Sequence, residues 1–215
     1  MQLLSVNVSL PVEIEFNNRQ ISTSIFKKPI EGLVQLSELQ FKGDQQVDLE
    51  NHGGAHKAVY AFSANEYQHW QQVLNKPDLH YGQFGENLTI TRLDEATICI
   101  GDQLQINDCI LEVTQPRVPC FKLGIALDDN SMPKRFVQHA ATGIYFKVLQ
   151  AGALKAGDKV DLIKQHPSKL SVKTLFKAYF DKDFIGAEKV MKQASEIRAL
   201  SDEWREKLIA RLNKA

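Results

Sequence analysis

Between Leu3 and Ile163 the chain is cut into short apolar runs, each stopped by glycine, asparagine, aspartate or proline before a helical period can build up. The runs fall at residues 3–10, 12–16, 20–26, 34–39, 57–62, 87–90, 97–100, 103–106, 110–114, 143–149 and 159–163. Asn17-Asn18 between the second and third reads as a hairpin turn. Gly-Asp recurs at Gly43-Asp44, Gly101-Asp102 and Gly157-Asp158, the last two directly ahead of strand-like runs. Many short strands with this punctuation predict a barrel or sandwich rather than a doubly wound sheet. Two helices interrupt them. Ser63-Ala64-Asn65-Glu66 has the form of a capping box and opens a helix to about residue 74. Ser131 with Pro133 starts another that runs to about His139.

The period changes after Ile163. Lys164-Gln165-His166-Pro167-Ser168 is a short polar linker, and beyond it Val172, Leu175, Phe176, Tyr179 and Phe180 recur at helical spacing. Val190, Met191 and Ala194 follow, then Trp204, Leu208, Ile209 and Leu212. The expected fold is therefore mainly β with α: a β domain over residues 1–164 and a three-helix unit over 169–215. So short a unit is near the lower limit for a core of its own. Its apolar faces are expected to pack on the first domain or on a second copy of the chain, as a homodimer.

Formal net charge is zero, with 26 basic and 26 acidic side chains, so nothing in the balance attracts a nucleic acid polymer or an anionic membrane. No apolar run approaches a membrane span, and the start lacks the basic-then-apolar form of a secretory signal. The three cysteines, Cys99, Cys109 and Cys120, form no Cys-x-x-Cys pair. That spacing disfavours a disulfide framework, a structural zinc site and an iron–sulfur cluster, and fits a reducing cytoplasm.

The most informative segment is Gln115-Pro116-Arg117-Val118-Pro119-Cys120-Phe121-Lys122. Two prolines stiffen the exit from a strand and hold Cys120 on a rigid corner, where Arg117 and Lys122 favour thiolate over thiol. Cys99, within Thr97-Ile98-Cys99-Ile100, reads instead as a small apolar core residue, as does Cys109. A second segment is Asn51-His52-Gly53-Gly54-Ala55-His56-Lys57. Tandem glycines let a backbone approach a ligand and offer amides to an anion, or simply make a turn into the next strand. His52 and His56 have the separation of a helical zinc pair, but the adjacent glycines oppose a helix and the third ligand is missing. Gly82-Gln83-Phe84-Gly85-Glu86-Asn87-Leu88 matches neither a phosphate loop nor a dinucleotide fingerprint. Ser24-Ile25-Phe26-Lys27-Lys28-Pro29, a strand end with two lysines, would alone count as a solvated face.

Taken in order, Ser-Ile-x-Lys from Ser24, Asp-Leu-x-x-His-Gly-Gly from Asp48, Lys-Ala-Val-Tyr from Lys57, Gly-Glu-Asn-Leu from Gly85 and Gln-Pro-Arg-x-Pro-Cys from Gln115 resemble the MOSC domain of molybdenum-cofactor proteins. More narrowly they look like its YiiM-like branch, associated with hydroxylaminopurine resistance, whose tri-helical tail the C-terminal helices resemble. The resemblance implies a β-barrel fold, molybdenum cofactor (molybdopterin) as the bound group, and Cys120 as the catalytic metal ligand. Ser24, Lys27, His52, Lys57, Asn87 and Arg117 fall on motif positions and are implied to line the cofactor pocket. A thiolate is a soft donor that suits such a metal, and Lys27, Lys57, Arg117 and the Gly53-Gly54 amides suit a pterin phosphate. His56 departs from the family, where many relatives have an acidic residue before the lysine. So does His139-Ala140-Ala141, where they commonly carry Ser-Gly-Arg; the missing arginine removes one anion contact.

The activity implied is molybdenum-dependent reduction of small N-hydroxylated bases or amines. The sequence has no flavin, nicotinamide or cluster motif, so electrons are expected from a separate reductase, most simply a flavoprotein. Two other readings stay open: a non-catalytic carrier of the cofactor or its sulfur, and a cysteine-based transferase or hydrolase with His52 as the base of Cys120.

Overall fold

The computed structural model describes residues 1–47 and 53–214. Its strands are β1 (Leu3–Val8), β2 (Val12–Phe16), β3 (Arg19–Thr23), β4 (Lys28–Ile30), β5 (Val34–Leu36), β6 (Val59–Ser63), β7 (Leu88–Ile90), β8 (Gln103–Ile106), β9 (Cys109–Pro116), β10 (Ile144–Gln150), β11 (Gly152–Leu154) and β12 (Val160–Lys164). The helices are α1 (Ala64–Leu74), α2 (Phe121–Leu127), α3 (Met132–His139), α4 (Val172–Phe180), α5 (Ala187–Ser195) and α6 (Asp202–Leu212), with a 3-10 turn at Ala55–Lys57. No helix among the described residues is long and apolar enough to cross a membrane.

Eight strands form one sheet in the order β12-β8-β9-β10-β6-β7-β1-β4, with β11-β5 and β2-β3 as separate pairs. Asn17 and Asn18, both left-handed at φ 51° and 59°, close the β2–β3 hairpin as expected of a two-residue primed turn. Neighbours in the large sheet run antiparallel except β6 and β7, which are parallel because α1 carries the chain across between them. The expected barrel is not formed. The start of β1 reaches the approach to β12 through an isolated Gln2–Lys159 bridge, but β12 and β4 remain the ends of the ladder and the sheet stays open. Pro29 sits in the terminal strand β4, where a missing N–H costs no ladder bond.

Period-two alternation in β6 divides the interior. Val59 and Ala61 join a large aliphatic core, whereas Tyr60 and Phe62 join a cluster with Tyr67, Trp70, Phe84, Leu123, Leu127, Met132 and Phe136. Both faces of this strand are covered, and all five of its residues are buried. The tail shares the aliphatic core: Leu175, Phe176, Met191, Ala194, Trp204 and Leu208 pack in one cluster with Leu104, Leu111 and Val113. Ser171 Oγ accepts from Thr174 N–H at 3.1 Å and Ser201 Oγ from Trp204 N–H at 3.2 Å, capping α4 and α6.

Two local expectations are corrected, and one helix was not anticipated. Residues 97–100 are turn-rich, because Asp102 takes the Cys99 N–H at 2.9 Å and Ile98 and Ile100 pair with Val172 and Leu170. Ser63 ends β6 and stands at the N-cap of α1 without a side-chain cap bond, while Glu66 binds His139 Nε2 at 2.5 Å. Helix α2 was hidden by its glycine: a Cβ on Gly124 would lie 3.0 Å from the Asp129 carbonyl, so glycine permits the close return of the following loop.

Candidate functional site

Six separated segments converge on a pocket that opens to solvent. Thr23, Ser24, Ile25 and Lys27 come from the exit of β3, and Gln46 and Val47 from the loop after β5. Tyr60 and Tyr145 come from the paired strands β6 and β10, where they lie opposite in register. Gly85 and Asn87 precede β7, Arg117, Val118 and Cys120 connect β9 to α2, and Lys122 lies in the first turn of α2.

Cys120 owes its place to the stop of β9 at Pro116. Arg117 N–H donates to Gly143 O at 3.0 Å, and the chain then turns so that Cys120 takes the N-cap of α2 with extended backbone. Leu123 and Leu127 in the aromatic cluster pin that helix. Cys120 is half-buried, with Lys122 and Arg117 on the same pocket.

Arg117 is 5% exposed, its Cζ 5.1 Å from the Tyr60 ring centroid and 5.8 Å from that of Phe136. Burial opposes its charge, but Tyr60, Tyr145 and Cys120 around it raise its pKa above the ordinary value. Its Nη1 is buried without a hydrogen-bond partner, and so is Ser24 Oγ. Both atoms belong to pocket-lining residues, and buried donors left unmatched in the protein are what an acceptor-rich ligand satisfies.

Two lining residues, Lys27 and Asn87, belong to a buried polar network beside the pocket. Asp44 Oδ1 accepts from Lys27 Nζ at 2.5 Å and from Ser9 N–H at 2.8 Å, and Asp44 Oδ2 accepts from Asn87 Nδ2 at 2.8 Å. Burial lowers the Lys27 pKa, against the raising effect of Asp44. Glu86 shapes the neighbouring loop: its carboxylate accepts the N–H of Gly82 at 2.9 Å and of Phe84 at 3.2 Å, the Thr89 hydroxyl at 2.8 Å, and the Tyr67 hydroxyl. Burial raises its pKa in spite of these donors. A Cβ on Gly82, at φ 89°, would lie 2.6 Å from the Lys27 carbonyl, so the loop's approach to the Lys27 backbone requires glycine.

Of the residues marked in the sequence, Ser24, Lys27, Asn87, Arg117 and Cys120 meet in this pocket. Gly53, Gly54 and Lys57 do not line it: Gly54 caps the 3-10 turn, and Lys57 is buried with its ammonium paired to Glu203 on α6. His52 lies outside the described residues. The His52–His56 pair therefore lies partly outside them, and among the described residues no group of three His, Cys, Asp or Glu could hold a metal ion. Burial pushes the Cys99 thiol up and that of Cys109 up to about 11, and neither lines the pocket. Sequence reading missed Asp44, which looked like turn punctuation, and Tyr145; Tyr60 was visible only inside its Lys-Ala-Val-Tyr motif.

The chain matches the MOSC domain family over residues 48–161. It is 36% identical to the protein YflK of Bacillus subtilis (strain 168), over 94% of this chain and 90% of that one. A Gibberella moniliformis protein named Reductase is 33% identical over 71% of this chain, which spans 28% of that protein's length. The crystal structure of YiiM from Geobacillus stearothermophilus is similar at a TM-score of 0.82 and 30% identity, with 98% of each chain covered.

Proposed function

This chain belongs to the MOSC-domain family, in its YiiM-like branch, and from that premise we propose that it binds molybdenum cofactor and reduces N-hydroxylated bases or amines. The observation that carries the reading is the pocket itself, where Cys120 lines the same space as two residues with buried, unmatched polar atoms, Arg117 Nη1 and Ser24 Oγ. The donor set fits the group. A thiolate is a soft ligand for a metal, while a guanidinium, an ammonium and a hydroxyl are donors for an anionic pterin. When bound, the cofactor supplies the two-electron redox chemistry.

The chain's own residues do the rest. Cys120 presents its Sγ to the metal from a corner stiffened by Pro119 and pinned through α2. Arg117 Nη1 and Ser24 Oγ hold and orient the pterin's acceptor atoms. Lys27 faces the pocket with a depressed pKa, so its Nζ releases a proton more readily than a surface lysine. Replacing N–OH by N–H consumes two electrons and two protons and releases water; a separate reductase delivers the electrons.

The test is elemental and pterin analysis of protein made in a host that synthesises the cofactor. Wild type and Cys99→Ser are expected to hold molybdenum and pterin in near-equal amounts, and Cys120→Ser to lose at least about tenfold in metal affinity. Equal molybdenum in both variants would remove Cys120 from the ligand set.

A further inference from the structure

Glu95, in the loop after β7, lies outside the pocket and is 4% exposed. Its carboxylate accepts the Thr142 N–H at 3.2 Å and the Gly143 N–H at 2.7 Å, from the last two of the four residues between α3 and β10. The carbonyls of those same residues hold the pocket. Thr142 O accepts from the Tyr60 hydroxyl at 2.8 Å, and Gly143 O accepts from the Arg117 N–H at 3.0 Å. One side chain therefore grips a two-residue corner whose other side carries two pocket residues. The corner has little slack, because a Cβ on Gly143 would stand 2.4 Å from the Tyr60 ring.

We propose that Glu95 is a positioning residue for the pocket: its carboxylate fixes the Thr142-Gly143 corner and, through it, the Tyr60 hydroxyl and the Arg117 main chain. An ionised carboxylate accepts both N–H groups strongly; a protonated one has a weaker acceptor and an O–H that neither amide can use. Burial raises the Glu95 pKa, the Thr142 and Gly143 amides oppose it, and the balance leaves it at about 7. The charged and titratable groups facing it are Glu66 of α1, itself bound to His139 of α3, then Lys173 of α4 and Arg92 and Asp94 of its own loop. Tyr60 lies behind the corner. The grip therefore loosens as pH falls through neutrality, and Arg117 loosens with it.

The linkage itself does not depend on what the pocket binds; its consequence for ligand retention rests on the cofactor reading. Amide resonances of Thr142, Gly143 and Arg117 in the full-length, nitrogen-15-labelled chain without cofactor are followed from about pH 5.5 to about pH 8.5. All three are expected to share one midpoint near 7 and to become flat together in Glu95→Gln. An Arg117 amide that stays flat while the corner titrates, or an unchanged titration in Glu95→Gln, overturns the proposal. Should that variant fail to fold, Lys173→Gln removes the cation that lowers the Glu95 pKa and must move the shared midpoint upward. An unmoved midpoint there also overturns it. In cofactor-loaded protein, pterin release should quicken severalfold below neutrality in wild type and lose that pH dependence in Glu95→Gln. Shared titration in a protein that never takes up pterin keeps the linkage and sinks the cofactor reading instead.

Discussion

Lys57, at the foot of β6, gives its buried ammonium to Glu203 on α6, 146 residues further along the chain. The motif lysine that the sequence marks for the cofactor thus ties the three-helix tail to the sheet. Ser201 N–H reinforces the tie by donating to Thr114 O at 3.3 Å. Burial alone would raise the Glu203 pKa, but bonds from Lys207 and Lys57 bring it below the ordinary carboxylate value. A depressed carboxylate contributes stability above its unfolded pKa, and that stability is lost as pH falls through the folded value. Glu203 is 39% exposed, so solvent screening keeps the pair to about 1 kcal/mol.

A double-mutant cycle with Lys57→Met and Glu203→Gln, read by thermal unfolding, should give a coupling of about that size at neutral pH. The coupling should fade in acid, below the carboxylate range. Molybdenum content should hold in Glu203→Gln. A large loss of metal in that variant would place the pair at the cofactor site after all.

Asp44 is the second residue whose role the fold reveals. It joins Ser9 to the pocket-lining residues Lys27 and Asn87, and it is 4% exposed. Asp44→Asn leaves the Lys27 ammonium buried without its counter-charge, a loss on the order of 3 kcal/mol. Asp44 raises the Lys27 pKa, so its removal lowers that pKa further below the unfolded value of 10.5. Between the folded and unfolded values the unfolded chain binds more protons, and stability rises with pH. Asp44→Asn should therefore be weakest at neutral and lower pH and recover toward alkaline pH more steeply than wild type. A destabilisation independent of pH would show that Asp44 acts through Ser9 and Asn87 rather than through the lysine.

How much of this was legible depended on range. The β2–β3 hairpin, α1, α3 and the tail helices are written in local turn and period signals, and the open sheet preserves most of the expected strands. The pocket cysteine was legible because two prolines and two cations surround it within a few residues. What sequence could not show is pairing across the chain. Asp44 meets Lys27 only after β1 and β4 pair, Lys57 meets Glu203 only after the tail docks, and Glu95 meets Gly143 only when β10 joins β6. The barrel was overread for the same reason: alternation fixes the strand faces, but whether the last strand closes on the first depends on a twist that no local run encodes.

The proposed reduction has one requirement that separates an enzyme from a carrier. The sequence has no dinucleotide fingerprint, no phosphate loop and no paired-cysteine cluster motif, so the purified chain should not oxidise nicotinamide by itself. With a dithionite-reduced viologen dye or a flavoprotein reductase, cofactor-loaded protein should convert hydroxylaminopurine to the amine, followed by chromatography. Cys120→Ala should abolish that conversion while α2 still folds, because Leu123 and Leu127, not the cysteine, anchor the helix. Retained far-ultraviolet circular dichroism and an unchanged melting point would certify the fold. Oxidation of NADH by the isolated chain would contradict the external donor. Absence of product from fully loaded protein across several N-hydroxylated substrates would assign the pocket to cofactor carriage, with Cys120 holding a metal that never turns over.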